Sequence, residues 1–394
     1  MRTSIPALTG LRGIAALWVL AFHAWLLTRA LPGDEYSLVG LIARAGYLGV
    51  DLFFVLSGFV IAFNYAEYRL HRSATGYIRF ISNRFARIWP VHLATSVLLG
   101  LVIVASVAIR APLARIPPIS ELFVSLTMMH AWTAPVPKIW NTVSWSISAE
   151  WAAYLCFPVI AWLALRLRSK TILVAIVLTL FAGLGLIIES VDYRGTMAYG
   201  MHRVAAEFTA GVLLFRLWQL TRRHSSTAWG AAAGLALTTM TLGGGATEAI
   251  LGFSKALSVF PVLAAVVVFG LAAGDGPLVR GLAAAPLQYL GRISYSLYLA
   301  HGPIMRLANA VLAEYGLRGK PGAVLITLSS AISILLLLAH WLYHFVEEPA
   351  RRAIRRIDFA EYLERIAKYR GRLSKVNASS SAPQQQGSDC KLLP

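Results

Sequence analysis

Apolar residues gather along this chain in ten long runs, at positions 8–25, 46–66, 90–109, 145–167, 171–188, 202–220, 228–245, 256–273, 287–312 and 323–345. About 20 consecutive apolar residues carry a helix across a bilayer. The pattern therefore predicts an all-α fold, a polytopic membrane bundle of about ten transmembrane helices. A short polar loop is expected over 31–45 and a longer connection over 110–143. That connection holds an apolar piece, 122–132, which is too short to cross. Its flanking Pro117, Pro118, Pro135 and Pro137 predict a re-entrant or interfacial segment.

Composition agrees with this reading: 57% of the 394 residues are hydrophobic and only 14% are charged, which excludes a soluble globular protein. A formal charge of +18 would suit nucleic acid. The basic residues, however, fall mostly in the connections between apolar runs, which is the positive-inside pattern, so no nucleic-acid partner is expected. Arg69, Arg72, Arg79, Arg84 and Arg87 face the single acid Glu67 over 67–89, which predicts a cytoplasmic loop and a cytoplasmic N-terminus. Arg166, Arg168 and Lys170 close the fourth run, Arg222 and Arg223 the sixth, and Arg351, Arg352, Arg355 and Arg356 the tenth, each on the same side. The membrane unit is expected to take residues 1–350. A basic amphipathic cytoplasmic helix over 351–376 and a tail of disordered composition over 377–394 follow. The opening MRTSIP is too short for a cleavable signal, so the first apolar run is expected to be retained. Cys156 and Cys390 give neither a disulfide framework nor metal-ligand spacing, and no metal site is expected.

The first run carries two ionisable side chains, Arg12 and His23, eleven positions apart. At about 100° per residue they return to within about 20° of one helix face, separated by about 16 Å along it. Ionisable groups inside a membrane cost several kcal/mol unless paired or facing a polar cavity, so they mark function. The competing structural reading is that Arg12 snorkels to the interface and His23 is a satisfied packing residue. The predicted topology sorts the unusual polar residues by depth. His23, Asp51, Glu150 and His301 fall at the outer level, and Arg12, Arg84, Arg87 and Arg292 at the inner one. A His beside carboxylates can serve as a general base. Clustered arginines suit a polyanionic ligand such as a phosphate-bearing cofactor, with anionic-lipid contact as the alternative. His301 shares a helix face with Ser294 and Tyr298, a polar seam or an acceptor site. Trp145 and Ser148 precede Glu150, which is either a site acid or a helix N-terminal acid. Glu347 and Glu348 are expected to pair with inner-face basic residues, and His130 to be interfacial.

Seven ordered segments give the chain a family resemblance. They are LRGIAALWVLAFH with Arg12 and His23, GVDLFFVLSGF over 49–59, NRFARIWP over 83–90 and NTVSWSISAEWAAYLCFP over 141–158. RVAAEFTAG from Arg203, LGRISYSLYLAHGP from Leu290 and FVEEPARR from Phe345 complete the set. In these it resembles the acyltransferase 3 membrane proteins, which O-acylate carbohydrates and other hydroxylated acceptors. The resemblance implies an acyl-CoA donor, most simply acetyl-CoA, bound from the cytoplasm. The acceptor hydroxyl, of a glycan or lipid-linked sugar, is met at the outer side of a bacterial inner membrane. It makes His23 the essential catalytic histidine, read here as the general base, and Arg84 with Arg87 the donor arginines. The depth and helix-face reading adds Asp51 and Glu150 as catalytic candidates beside His23, Arg12 to the donor, and His301, Ser294, Tyr298 and Trp145 to the acceptor. Members often carry a further basic residue where this chain has Asn83, and Arg79 is available to compensate. No hydrolase-like segment follows the tenth run, so activity is expected to reside in the membrane unit. Acylation of a small hydroxylated molecule such as a macrolide is the alternative within the family. A proton-coupled transporter using His23, Asp51 and Glu150 as a relay is the alternative outside it, against which stands the lack of an inverted repeat.

Overall fold

A computed structural model describes residues 4–28, 37–68, 70–132, 140–190, 199–221 and 226–356. Arg69, Pro135, Pro137, Arg222, Arg223, the part of the expected basic helix beyond 356 and the 377–394 segment lie outside them. Among the described residues there is no strand beyond one isolated bridge, Ser226 to Gly274. The molecule is a multi-pass helical bundle. Its first half comprises α1 (Pro6–Thr28), α2 (Leu38–Arg44), α3 (Gly49–Tyr65), α4 (Ala74–Ala108), α5 (Ile119–Leu126), α6 (Trp145–Arg166) and α7 (Lys170–Ser190). The second half begins with α8 (Gly200–Thr221), α9 (Thr227–Thr238), α10 (Gly244–Leu251), α11 (Phe253–Val259) and α12 (Pro261–Ala273). It ends with α13 (Pro277–Leu282), α14 (Ala285–Glu314), α15 (Pro321–Leu342) and α16 (Glu348–Arg356).

Seven stretches are long and apolar enough to cross a membrane: Pro6–Thr28, Leu38–Tyr68, Ala74–Ala108, Thr142–Arg166, Lys170–Ser190, Phe253–Ala273 and Pro321–Ile354. The expected spans at 202–220, 228–245 and 287–312 are helical too, but do not meet that standard. Arg203, Glu207 and Arg216 load α8 with charge, a π-helical turn at Thr239–Gly243 divides α9 from α10, and α14 carries Arg292 and Arg306. The expected ten is thus not established as a count.

Two loops expected from polarity are helical. Most of the basic stretch 67–89 belongs to α4, whose 35 residues run unbroken through Pro90. At 1.5 Å per residue that is about 52 Å against a hydrocarbon core of about 30 Å, so its basic first turns need not be in lipid. Ser73 starts it by accepting a bond from the Gly76 amide at 2.9 Å. Within 31–45, Ser37 caps α2 in the same way through Gly40. Polarity marked these segments as solvated, not as irregular. α5, which runs into the 122–132 piece, is only eight residues long and exposes Ile119 and Phe123.

The outside is apolar, as a lipid solvent favours, and the mostly apolar interior holds a few charged groups. Leu186 and Leu337 are over 70% exposed, whereas Asp51, His92, Arg203, Glu207 and Glu347 are completely buried. Small residues let the central helices approach closely. A Cβ on Gly13 of α1 would stand 2.9 Å from the Gly291 nitrogen of α14. One on Gly58 of α3 would strike the Phe208 carbonyl of α8. The first contact sets α1, and with it Arg12 and His23, against α14.

Candidate functional site: an arginine-lined cavity below a histidine pair

Between α1, α3, α4, α6, α14 and α16 lies a cavity of about 290 Å³. Four helices deliver five arginines to it: Arg12, Arg84, Arg87, Arg292 and Arg351. Three residues apart on α4, Arg84 and Arg87 share a face, so one helix presents two guanidinium groups together. Carboxylates compensate them unevenly. Arg87 forms an ion pair with Glu347, and Arg351 lies 3.9 Å from Glu347 and 3.4 Å from Glu348. Arg12, Arg84 and Arg292 form no ion pair among the described residues, and Arg12 no hydrogen bond either. Arg84 donates to the Tyr65 hydroxyl at 3.0 Å and lies over its ring, while its Nε, like that of Arg351, is buried without a partner. Buried guanidinium donors without acceptors fit an anion with several oxygens, such as a phosphate ester.

Glu347 owes its position to a second π-helical turn, Tyr343–Glu347, at the end of α15. There it also accepts a bond from Ser296 Oγ at 2.9 Å. Such single π turns occur often at functional sites. The expected pairing of Glu347 and Glu348 with basic residues is present, and it braces one wall of the cavity.

Glu150 of α6 lines this same cavity. It accepts bonds from Ser57 Oγ and Tyr154 OH, each at 2.5 Å. The depth reading put Glu150 with His23. The structure groups it with the arginines, and among the described residues no carboxylate bonds to His23.

Tyr298 and Ser146 also line the cavity, their hydroxyls joined at 2.7 Å. On the far side, the Tyr298 ring packs on His301 at 5.4 Å, and His301 packs edge-on against His23 at 4.6 Å between ring centroids. His23 Nδ1 is 2.9 Å from the Val19 carbonyl, and His301 Nδ1 meets the Tyr298 carbonyl. A carbonyl oxygen only accepts, so each Nδ1 carries the hydrogen and each neutral ring keeps its lone pair on Nε2. His301 Nε2 is buried with no partner.

Asp51 and Trp145 stand outside this cavity. Asp51 takes a bidentate contact from Arg203 of α8, Nε to Oδ1 at 3.1 Å and Nη2 to Oδ2 at 2.8 Å, with both side chains completely buried. Glu207 is 3.8 Å from the Arg203 Nε, and the Trp145 ring lies 5.3 Å from the Arg203 guanidinium. The group ties α3, α6 and α8 together. Ser294 lines the cavity but spends its hydroxyl on the Gly291 carbonyl at 3.0 Å.

Sequence reasoning missed Ser57, Tyr154, Tyr295 and Arg351 as cavity residues. Tyr154 follows Glu150 by one helical turn, a usable signal. Arg351 was legible only as a topology charge. His130 proves deeply buried, stacked at 6.0 Å on His92 and bonded to the Ser144 carbonyl at 3.2 Å. It lies in the 110–143 connection, where burial first and the nearby His92 second push its pKa down to about 4. Among the described residues no group of three or more His, Cys, Asp or Glu could hold a metal.

A multi-pass membrane bundle with an arginine-lined cavity beside a histidine pair has the form of a membrane-embedded transferase. A family profile described as "Acyltransferase domain" matches residues 5–342, and the chain belongs to that family. It is 28% identical to Acyltransferase MdmB of Streptomyces mycarofaciens, over 89% of this chain and 93% of that protein. To the putative peptidoglycan O-acetyltransferase YrhL of Bacillus subtilis it is 25% identical, over 93% of this chain but only 58% of that protein. To the exopolysaccharide production protein ExoZ of Rhizobium meliloti it is 28% identical, over 78% and 90%. No solved structure matches the chain.

Proposed function

We propose that this protein is a membrane O-acyltransferase that moves an acyl group, most simply acetyl, from acyl-CoA to a hydroxyl of a cell-surface carbohydrate or its precursor. The observation that carries the reading is the juxtaposition of partnerless guanidinium donors, on Arg12, Arg84 and Arg351, with a histidine pair whose Nε2 atoms are lone-pair acceptors. Arg12, Arg84 and Arg87 hold the donor's phosphates, and Arg292 and Arg351 add charge at the cavity. Glu150, fixed by Ser57 and Tyr154, faces the bound donor. His23 takes the acceptor's hydroxyl proton on Nε2 while Val19 holds the ring from behind. Asp51 acts at a distance, by locking α3 to α8 through Arg203.

The arginine end faces the cytoplasm and the histidine end the opposite side, in a bacterial inner membrane with both termini inside. Relatives named for O-acetyl transfer and for exopolysaccharide production support a carbohydrate acceptor. A proton relay through His23, Asp51 and Glu150 has less support, because Asp51 is committed to Arg203 and Glu150 lies among the arginines. The test incubates purified protein in nanodiscs with acetyl-CoA and a panel of glycans. Free thiol released only with a particular glycan supports the reading. Donor binding without thiol release on any hydroxylated acceptor overturns it.

A further inference from the structure

The histidine pair leaves one atom unexplained. His301 is 1% exposed, its Nδ1–H is spent on the Tyr298 carbonyl, and its Nε2 lone pair is buried with no donor. An acceptor left bare in an apolar interior costs free energy, and a packing role alone would be served as well by a leucine. The neighbouring ring is His23, 4.6 Å away between centroids, whose own Nε2 also carries a lone pair at rest. Two lone pairs give each other nothing. Once His23 gains a proton on Nε2, it becomes a charged donor to which no carboxylate bonds among the described residues: Asp51 is held by Arg203 and Glu150 by Ser57 and Tyr154.

We propose that His301 is a positioning residue whose free Nε2 accepts the hydrogen bond of protonated His23, an interaction absent in the resting protein and made only as the hydroxyl proton arrives. This rests on the reading of His23 as general base. In a direct transfer the acceptor O–H bond breaks and its proton passes to His23 Nε2. The oxygen closes on the acyl carbonyl carbon, the carbon–sulfur bond breaks, and the departing thiolate takes the proton back from His23. His301 forms no bond to substrate and holds no net proton through the cycle. Its contribution falls on the step at which charge appears on His23, so it should raise kcat and leave ground-state donor binding alone. The rest of the pair's environment is compatible with this: the Phe22 and Tyr298 rings pack against the two imidazoles and offer no charge.

The experiment compares His301→Leu with His301→Gln in nanodiscs at matched protein, reading kcat and KM for acetyl-CoA and for the acceptor. Leu fills the space without an acceptor, whereas the Gln amide carbonyl reaches the position of Nε2. The expected result is a kcat lowered about 10- to 100-fold in His301→Leu with donor KM unchanged, and recovery of most of that loss in His301→Gln. Equal kcat in the two variants, whether both low or both near wild type, overturns the proposal. His23→Gln is measured beside them. If it is inactive while His301→Leu turns over normally, only this inference fails. If His23→Gln itself turns over normally, the general-base reading fails first.

Discussion

Arg12 and Arg87 line the same cavity, yet removing them should have different consequences, and the difference follows from their partners. Arg12 has no hydrogen bond or ion pair among the described residues, so Arg12→Gln removes the proposed contact to the donor phosphates and little that holds the fold. A charge-assisted bond to phosphate is worth about 1.5–3 kcal/mol, so donor affinity should fall about 10- to 100-fold. The melting temperature of the empty protein should barely move. Arg87→Gln removes the same kind of contact but also leaves Glu347, which is completely buried, with Arg351 at 3.9 Å and Ser296 at 2.9 Å as its remaining partners among the described residues. Breaking a buried pair by deleting one partner costs about 3–5 kcal/mol. The 18% exposure of Arg87 and the residual neighbours of Glu347 place the expected loss toward the lower end. Adding Glu347→Gln to Arg87→Gln removes the stranded charge and should recover much of that stability without recovering donor affinity. The assays are acetyl-CoA titration and thermal unfolding in nanodiscs of one lipid composition. Unchanged donor affinity in Arg12→Gln refutes the cavity as the phosphate site. Equal stability of the two single variants refutes the account of Glu347.

His23→Gln keeps a hydrogen-bonding side chain but cannot carry a proton, so transfer should fall about 10²- to 10⁴-fold at normal membrane abundance. Wild-type turnover would remove the base. Arg203→Leu strands both Asp51 and Glu207 in the interior and should cost folded yield severely, about 3–5 kcal/mol, as read from detergent-stable protein on size exclusion. Undiminished yield would show that the triad does not brace α3 against α8. The native pKa of His130 is depressed to about 4, so its stabilising contribution is complete above the unfolded value near 6.5 and is lost as pH falls through 4. His130→Gln should therefore lose less melting temperature than wild type between pH 7 and pH 4.5, and parallel losses would contradict this. A reporter fused at Ser73 should be active only in the cytoplasm, and export of that reporter would invert the proposed orientation.

How much of this was legible in the chain depends on the range over which each feature is determined. The all-α bundle and most helix positions follow from apolar run length, a local property. The one-stripe placement of Arg12 and His23 follows from helical periodicity, and each does lie on the side of α1 that meets α14: Arg12 in the cavity, His23 against His301. Depth was less secure. Glu150 sits early in α6, which placed it at the outer level, yet it lines the arginine cavity together with Ser57 and Tyr154. Counting residues from a helix end assumes an upright helix, whereas helices in bilayers tilt as their neighbours require. The partner of Asp51 was beyond local reasoning altogether, because Arg203 lies 152 residues later and only the close packing of α3 on α8 brings the two together.

Arginine also shows why residue type alone could not separate scaffold from site. Arg203 and Arg12 both point inward from helices of a membrane bundle, and both would be costly there without compensation. Arg203 has its compensation built in, with two oxygens of Asp51, the nearby Glu207 and the Trp145 ring, and no side left for a ligand. Arg12 forms no ion pair or hydrogen bond among the described residues, and it faces a space shared with Glu150 and bordered by the buried, partnerless Nε atoms of Arg84 and Arg351. The uncompensated set is stable only if something anionic, solvent or ligand, completes it, and that requirement is itself a binding preference. The same inventory applied to the imidazoles finds buried ring nitrogens without a partner on His92, His130 and His301, and of these His301 is the one packed against His23. Where a polar group in the bundle finds all its partners within the chain, it holds helices together. Where it lines the cavity and does not, the missing partner specifies the chemistry of a ligand that would complete it.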